Sequence, residues 1–453
     1  MNLVRRRLIY LSFFVVFLAA GSALLFYLQG YRYNSVKGKV QRTGGVVVNS
    51  MPVGASITLN GAGQPDVTPT SLQSLIPADY DVGVELPGFQ PWRKTLNVKP
   101  SLVTFTGAIR LWPQPSTGER LTPAVNLALA SPVGSNLLVY SPTGLNSGLW
   151  LYNLATGQGS LLSRFGGSTL VSLEWYRNGQ QFLLGLKQGS LTHYQIFDLT
   201  SRAWEDVSLP SDLQPHAVHW GDDDDSLLVS SNDQLYQYSR RTGSAKLLWR
   251  VNLTDFRAHD GLIFGLTTGS GGALELRLLD LASLHNVTLP NLPTLSANVS
   301  WLQARGDWLP LFDQDRHSLY LLHSPLTEPS PLRQLPEGTS LDWSPDGERL
   351  LLTNNFEIWQ YDITTDKLNL LTRVSTPLGR SRLVGSEPYA LLSSGGQLWA
   401  LEFDSRGQQQ RWLLADYGNQ IIDDLFLDPG AQSVVVKLGS GLWRLNLTLG
   451  AGG

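Results

Sequence analysis

The chain has 453 residues, of which 42% are hydrophobic and 16% are charged, so it is long enough for more than one folded unit. It contains no cysteine, which excludes a disulfide framework, a thiol nucleophile, a zinc-thiolate site and a lipid-modified cysteine. Residues 1–120 carry twelve Lys and Arg against five Asp and Glu, whereas the remainder carries twenty-two against thirty-two. Because nucleic-acid binding needs clustered positive charge, the acidic remainder argues against a nucleic-acid partner.

The first predicted element is a membrane-spanning helix over residues 8–28. From Leu8 to Leu28 the chain is uncharged and strongly apolar for twenty-one residues, which is long enough to cross the hydrocarbon core of a bilayer. Arg5, Arg6 and Arg7 precede it directly, and positive charge at this place favours a cytoplasmic N-terminus. The sequence therefore predicts a cytoplasmic tail over residues 1–7, a single-pass anchor in membrane lipid, and an extracytoplasmic location for the rest.

Two features leave alternatives open for this segment. The small residues from Ala20 to Ala23 offer a signal-peptide cleavage site, although the apolar stretch continues past them and is longer than the apolar part of most signal sequences. The predicted linker over residues 29–43 is basic and opposes the orientation set by the first three arginines. Its four charges either face solvent or contact anionic headgroups or cell-wall polymers; they are Arg32, Lys37, Lys39 and Arg42.

Short strands follow in residues 44–112. Segments at 46–48, 56–59, 81–86 and 94–98 are β-branched or alternate between apolar and polar residues, and turns containing Gly or Pro separate them. They predict a small β-sandwich, near the lower size limit of a domain that folds alone.

The turns of this small domain are more specific than its strands. A Pro-x-Gly-Ala turn, an Asn-Gly hairpin, a Thr-Pro pair and a Gly-Phe pair occur in this order; their residues are Pro52, Gly54, Ala55, Asn60, Gly61, Thr68, Pro69, Gly88 and Phe89. The segment thereby resembles the PEGA domain of prokaryotic surface proteins. It departs from that pattern in having Val53 where the namesake Glu stands and Ala78-Asp79 where Pro-Gly is usual. The resemblance implies a surface module, often membrane-anchored, that binds envelope polymers or proteins without catalysis.

The predicted third unit, residues 117–449, repeats one phrase eight times. The repeated strands are rich in Leu and aromatic residues and recur at intervals of 45, 41, 41, 43, 39, 40 and 44 residues. They begin at Leu149, Tyr194, Leu235, Leu276, Leu319, Ile358, Leu398 and Leu442. A period near forty in an all-strand pattern predicts a β-propeller, with eight blades or, as the alternative count, seven.

A second repeated unit aligns the blades with one another. The segment from Leu341 to Leu352 contains Trp343 and a Ser-Pro-Asp-Gly turn, and it aligns with segments containing Trp175 and Trp220. Its wording resembles the WD40-like repeats of the TolB type. The last blade lacks an outer strand of its own, because only residues 450–453 follow its third strand. We expect Thr117–Thr122, which resembles an outer strand, to pair there and close the ring.

No catalytic residue, metal site or cofactor is predicted. The Asp222–Asp225 run aligns with the turn of the repeat and lacks the spacing of a calcium loop, which indicates a solvated turn. His216 and His219 lie three apart in a strand and point to opposite faces, which argues against a shared metal. The glycine-rich segment 269–272 lacks the Lys and the helix of a phosphate-binding loop.

The sequence therefore favours an all-β, non-enzymatic and membrane-anchored envelope protein. Its propeller would serve as a platform for a protein or a polysaccharide. The alternative is a propeller-type glycosidase or lyase, which needs an acid and a base about 5 to 9.5 Å apart in the central funnel. Paired funnel carboxylates would favour the enzyme, and a funnel without them would favour the scaffold.

Overall fold

The chain begins with one long helix. The structure, a computed structural model, describes residues 3–34, 38–122, 124–142, 147–287, 294–323, 332–335, 338 and 340–448. Helix α1 spans Leu3–Leu28, and its apolar window is not buried against the rest of the described chain. Its length and composition suit a bilayer. The helix begins before the predicted boundary at residue 8 and includes Arg5–Arg7, since long basic side chains allow a helix to continue into the headgroup region.

The predicted basic linker contains a small hairpin. Strand β1 (Tyr31–Asn34) pairs with β2 (Lys39–Arg42), and Lys37 lies outside the described residues. Arg32 donates a hydrogen bond of 2.8 Å to the Tyr27 carbonyl. The central carbon of its guanidinium group lies 3.6 Å from the centre of the Tyr27 ring. The sequence predicts only a basic linker over 29–43 and does not reveal this hairpin, because these four-residue strands lack the apolar alternation that identifies a strand.

The small β domain consists of two sheets. One has the order β6-β3-β9, in which β9 runs parallel to β3, and the other has the order β5-β4-β7-β8. The seven strands are β3 (Gly44–Met51), β4 (Ser56–Leu59), β5 (Ala62–Val67), β6 (Thr70–Leu75), β7 (Asp79–Glu85), β8 (Trp92–Asn97) and β9 (Val103–Arg110). Their inward side chains form one core that includes Val46, Ile57 and Trp92. The four strands predicted from sequence are β3, β4, β7 and β8, and the other three carry too few buried apolar residues to be recognised.

The described strands from residue 119 to residue 446 form eight four-stranded antiparallel sheets. Sheets one to four contain β11 (Leu127–Ala130), β12 (Asn136–Ser141), β13 (Gly148–Asn153), β14 (Gly159–Ser163); β15 (Thr169–Trp175), β16 (Gln181–Gln188), β17 (Leu191–Asp198), β18 (Ala203–Asp206); β19 (Ala217–Trp220), β20 (Ser226–Ser231), β21 (Gln234–Ser239), β22 (Ala245–Arg250); and β23 (Asp255–His259), β24 (Leu262–Thr268), β25 (Leu274–Asp280), β26 (Asn286–Val287). A short 3-10 helix, Ser270–Gly272, lies in the fourth sheet between β24 and β25.

The other four sheets continue the series. They contain β27 (Val299–Trp301), β28 (Trp308–Asp313), β29 (Ser318–His323), β30 (Leu332–Leu335); β31 (Ser340–Trp343), β32 (Arg349–Thr353), β33 (Glu357–Asp362), β34 (Lys367–Arg373); β35 (Ser381–Leu383), β36 (Tyr389–Ser394), β37 (Gln397–Glu402), β38 (Arg411–Asp416); and β39 (Ile422–Leu427), β40 (Ser433–Leu438), β41 (Gly441–Asn446) with β10 (Glu119–Thr122). Each sheet is a blade of the propeller, and its first strand lies nearest the centre of the ring.

Buried apolar clusters join each blade to the next. Leu138 of the first blade packs with Trp175 of the second, and similar clusters join every later pair. The series closes because Val435 of the eighth blade shares a cluster with Leu137 of the first. The core is therefore a ring of interfaces between sheets.

Strand β10 completes the eighth blade, as predicted from the sequence. It pairs antiparallel with β41, with Glu119 opposite Arg444 and Thr122 opposite Leu442. The backbone at Gly118 lies so close to the Arg444 carbonyl that a side chain would not fit, and its φ of +70° also favours glycine. The predicted end of the propeller at residue 449 lies outside the described residues.

Removal of the strand that binds β10 should open the ring. A chain ending at Ser440 lacks β41, so the eighth blade loses its third strand and the pairing partner of its outer strand. The apolar clusters between this blade and its two neighbours then become exposed to solvent. We expect the single cooperative urea transition, measured by tryptophan fluorescence, to be lost. Glu119→Gln, which removes only the exposed ion pair with Arg444, serves as the control and should keep the transition sharp. A sharp transition in the truncated chain would contradict closure by β10.

Candidate functional site

The predicted PEGA-like motif residues hold turns in place. The Pro-x-Gly-Ala turn and the Thr-Pro pair meet: Gly54 N–H donates to the Thr68 carbonyl at 2.7 Å, and Ala55 N–H donates to Thr68 Oγ1 at 3.0 Å. The same hydroxyl lies 2.6 Å from that of Ser50, and Thr68 is buried. Pro52 and Pro69 follow Met51 and Thr68 at this meeting point. Its buried polar atoms are therefore satisfied within the protein.

The two remaining motif pairs lie elsewhere in the domain. Asn60 and Gly61 both have positive φ in the tight turn between β4 and β5, and Asn60 Oδ1 accepts a hydrogen bond from Asp81 N–H at 2.9 Å. Gly88 and buried Phe89 precede β8, where Phe89 forms a β-bridge with Pro113. This second pair therefore lies where the small domain joins the propeller.

A buried ion pair lies in the contact between the small domain and the propeller, beside an apolar core that both units share. Lys94 Nζ lies 2.7 Å from Glu402 Oε2 and 3.2 Å from Asp404 Oδ2, and it donates to the Asp404 carbonyl at 2.8 Å. The side chains of Lys94 and Glu402 are 0% and 4% exposed. Trp92 Nε1 donates to the other oxygen of Glu402 at 3.1 Å. The ammonium has three N–H groups, and all three have an acceptor.

The two carboxyl groups around Lys94 differ in their electrostatics. Burial raises the pKa of Glu402 even though the Lys94 ammonium opposes that change. At Asp404 burial also raises the pKa, but hydrogen bonds from Arg406 and Lys94 outweigh it and lower the pKa to about 2. Two cations and two carboxylates thus balance at this contact, which is the condition under which burial of charge is tolerated.

A second set of contacts fixes the end of β9 to the seventh and eighth blades. Arg110 N–H donates to the Tyr389 hydroxyl at 3.0 Å, and the Arg110 guanidinium pairs with Glu387 at 2.8 Å and donates to the Ala431 carbonyl. Trp112 packs edge-on against Tyr389, with 5.8 Å between ring centres. Burial raises the pKa of Tyr389, so its hydroxyl remains a neutral group.

These interface residues were missed in the sequence, although one carries a signal. In β8 the inward positions are Trp92, Lys94 and Leu96, so a lysine occupies a core position of an alternating strand. Such a lysine indicates a buried partner. Glu402 gave no comparable signal, because it follows the repeated phrase at a place where other blades carry Asn or Asp, such as Asn153 and Asp198.

The innermost strands are joined by tryptophans, as their alignment predicts. Nε1 of each donates to a backbone carbonyl of the preceding blade: Trp175 to Leu129 at 3.1 Å, Trp220 to Glu174 at 3.2 Å and Trp343 to Gln303 at 3.2 Å. The indole N–H groups of these three residues therefore serve contacts between neighbouring blades.

Charged side chains on three adjacent inner strands form one group in the central channel. His219 Nδ1 lies 2.7 Å from Glu174 Oε2, and Arg257 lies 3.0 Å from His219 Nε2 and 2.8 Å from Asp255. Although burial by itself raises the pKa of Glu174, the charges of His219 and Arg257 outweigh it and hold that pKa below its usual range. The sequence prediction places His216 and His219 in one strand, but β19 begins at Ala217, and of the two only His219 belongs to this charged group.

A second charged group lies in the sixth to eighth blades, beside a cavity of about 940 Å³. Arg382 pairs with Asp424 at 3.0 Å, and Asp342 Oδ2 accepts a hydrogen bond from Leu383 N–H at 2.6 Å. Burial raises the pKa of Asp342 from its ordinary value of 3.8 to about 6, although Arg382 lowers it. Across the cavity, Arg305 donates to the carbonyls of Pro345 at 2.6 Å and Pro132 at 3.3 Å.

The described inner strands do not present a free pair of carboxylates. They carry five carboxyl groups, and each one has a partner within the protein. These are Glu174, Asp255, Asp342, Asp423 and Asp424. A glycosidase needs one carboxyl group free to donate a proton and a second free to attack or activate water. In the described channel, no two of these carboxyl groups are both without a hydrogen-bond or ion-pair partner.

The aspartate run forms a turn, as predicted. Asp223 accepts a hydrogen bond from Ser226 N–H at 2.7 Å, and Asp225 accepts one from Arg241 N–H at 2.9 Å. Asp222 accepts one from Gly261 N–H in the next blade at 2.8 Å. Among the described residues no cluster of His, Asp and Glu has the geometry of a metal site.

Comparison with known protein families identifies the small domain. The PEGA domain family matches residues 43–110, which include every motif residue predicted from the turns. Residues 43–110 are a PEGA domain. The resemblance stated from the sequence is thereby confirmed. A comparison with curated proteins finds no match to this chain.

Among solved structures the chain is similar to several propellers. The C-terminal WD40 domain of Sif2 is 12% identical with a TM-score of 0.49, over 74% of this chain and 99% of that chain. The Dos1 propeller is 12% identical with a TM-score of 0.48, over 74% and 95%. Saccharomyces cerevisiae Sqt1 is 10% identical with a TM-score of 0.44, over 72% and 97%. At these scores the propeller assignment rests on the strand order and the closed ring described above.

Loss of the buried ammonium should uncouple the PEGA domain from the propeller. Lys94→Met leaves Glu402 buried without its counter-charge, and we expect a loss of about 3 to 5 kcal/mol in unfolding free energy at pH 7. The loss should shrink at pH 5, because the raised pKa of Glu402 lets that carboxyl group take up a proton. Urea titration of the detergent-solubilised chain measures both values.

Two further variants control for the Lys94 experiment. Arg93→Met removes a neighbouring exposed ion pair with Glu85 and should leave the unfolding free energy unchanged. Lys94→Met combined with Glu402→Gln removes both charges and should recover much of the loss. Equal unfolding free energies for Lys94→Met and the native chain would refute the role assigned to this contact.

The channel aspartate should make stability depend on pH. The Asp342 carboxyl group binds its proton more tightly in the folded chain than in the unfolded chain, so unfolding free energy falls as pH rises from about 4 to about 6 and is level above that. Asp342→Asn cannot ionise and still has an oxygen to accept from Leu383 N–H. Relative to this variant, the native chain should lose about 2 kcal/mol between pH 4 and pH 6.5. Parallel pH profiles would contradict this expectation.

Proposed function

We propose that this protein is a non-enzymatic, membrane-anchored scaffold of a prokaryotic cell envelope. Helix α1 anchors it with a cytoplasmic N-terminus, and the PEGA domain and the propeller lie outside the cytoplasm. The propeller binds a partner protein on the face opposite the PEGA contact. The buried Lys94–Glu402 pair carries the proposal, because it makes the PEGA domain a fixed base for the propeller.

The position of the PEGA contact determines which face of the propeller is available. Lys94 contacts Asp404, in the turn after the third strand of the seventh blade. Arg110 contacts Glu387, in the turn after the first strand of the same blade, and Ala431, in the first turn of the eighth blade. We call this the turn face. The far face is formed by the turns between second and third strands and by the connections between blades, and it lies at the other ends of the same strands.

Exposed apolar side chains favour the far face as the binding surface. Phe356 lies in a turn between second and third strands, Leu191 begins the third strand of the second blade just after such a turn, and Ile421 lies in the connection before the eighth blade. Val171, near the start of the second blade, is exposed on the same side. Three of these four side chains are aliphatic and suit a protein surface better than a sugar, which stacks on exposed aromatic rings; Phe356 alone is aromatic. A protein partner is therefore favoured over a polysaccharide.

The topology is tested by cysteine labelling in intact cells. The chain has no native cysteine, so Phe356→Cys gives one reactive thiol on the far face. A membrane-impermeant maleimide should label it in intact cells of a single-membrane host to the same extent as after lysis. Labelling only after lysis would contradict an extracytoplasmic propeller.

Partner binding is tested by a photo-crosslinking amino acid at single positions of the full chain in cells. Crosslinkers at Phe356 and Ile421 should yield the same discrete protein adduct, and one at Leu284 on the turn face should not yield it. Adducts of equal intensity from both faces would contradict the assigned surface. Absence of a protein adduct together with retention on envelope polysaccharide would favour a carbohydrate ligand instead.

A further inference from the structure

The PEGA domain is joined to the end of helix α1 by two successive hydrogen bonds. Thr43 N–H donates to the Gly30 carbonyl at 2.8 Å, and Ser101 N–H donates to the Thr43 carbonyl at 3.0 Å. Gly30 follows the last helical residue, Leu28, by only two positions. The loop between β8 and β9, which contains Ser101 and Leu102, therefore lies beside the point where the helix ends.

Apolar side chains are exposed at this end of the PEGA domain. Leu102, Val103 and Phe105 are 56%, 51% and 60% exposed. Val103 and Phe105 are two residues apart in β9 and therefore share one face of the strand. The Phe105 carbonyl accepts a hydrogen bond of 3.0 Å from Arg406 of the propeller, which fixes this part of β9. We call these three residues the proximal patch.

Positive charge surrounds the proximal patch. The hairpin β1–β2 next to it contributes Arg32, Lys39 and Arg42, and the loop before β9 contributes Lys99. Segment 29–43 contains no acidic residue. Asp79 lies near the base of this loop, where its carboxylate accepts a hydrogen bond of 2.6 Å from Asn97. Apolar side chains bordered by lysine and arginine are the composition that suits an anionic lipid surface.

We propose that the proximal patch inserts into the headgroup region of the bilayer that holds helix α1. This inference rests on the membrane anchoring in the proposed function. The patch cannot move far from the bilayer surface, because the two hydrogen bonds above connect its loop to the end of the helix. Since Lys94 fixes the PEGA domain to the propeller, contact of the patch with lipid also sets the tilt of the propeller relative to the membrane.

Membrane insertion is measured with single-cysteine variants of the full chain in nanodiscs of phosphatidylcholine and phosphatidylglycerol. Val103→Cys and Phe105→Cys each carry an environment-sensitive fluorophore, and the lipids carry a nitroxide quencher. Val53→Cys is the matched control, since Val53 is 67% exposed and follows the other end of β3, about 23 Å from Gly44 at the usual rise of a strand. We expect at least about twofold stronger quenching at positions 103 and 105 than at 53.

A fourth variant tests the membrane anchor independently of the proximal patch. Val16→Cys lies in the middle of α1 and should be strongly quenched if the helix crosses the bilayer. Strong quenching at position 16, with equally weak quenching at 103, 105 and 53, would refute insertion of the proximal patch and would still support the membrane anchor. Absence of quenching at 16 would overturn both. Efficient disulfide formation between two copies of Val103→Cys without quenching would show that a second copy covers the patch.

Discussion

The buried contact around the Lys94 ammonium group, together with the apolar core shared by the PEGA domain and blades seven and eight, joins the two domains. The ammonium group is completely buried, and its three N–H groups meet two carboxyl groups and one carbonyl of the seventh blade. A buried charge of this kind is tolerated only with its partners in place. Separation of the two domains would leave these charged groups without their partners. The surfaces of both domains therefore keep a fixed geometry relative to each other.

The propeller is the rigid partner in this contact. Its ring has no free end, because β10 comes from the chain before the first blade and pairs with the last strand of the eighth. Tryptophan N–H groups bond neighbouring inner strands, and charged groups in the channel bond to one another. Polar groups that are satisfied internally stabilise a unique structure and leave few free groups for chemistry.

In the proposed anchoring, the same chain of contacts also sets the position of the propeller relative to the membrane. Helix α1 continues into a hairpin in which Arg32 contacts Tyr27, and Thr43 links the hairpin to the PEGA domain. Arg110 and Lys94 then link the PEGA domain to two blades. From the helix to the propeller, the described residues thus include no long segment without hydrogen bonds to its neighbours. A partner on the far face would meet a surface held at a set distance from the bilayer.

Elements that depend on local pattern are predictable from the amino-acid sequence alone. The apolar run of α1, the repeat near forty residues, the missing outer strand and the PEGA turns such as Asn60-Gly61 are all properties of neighbouring residues. The tertiary structure alone decided the partners of Lys94, Arg110 and Asp342. Lys94 and Glu402 are 308 residues apart, and neither the period of a strand nor that of a blade relates such positions. Burial and charge pairing at this distance arise only when the folded domains meet.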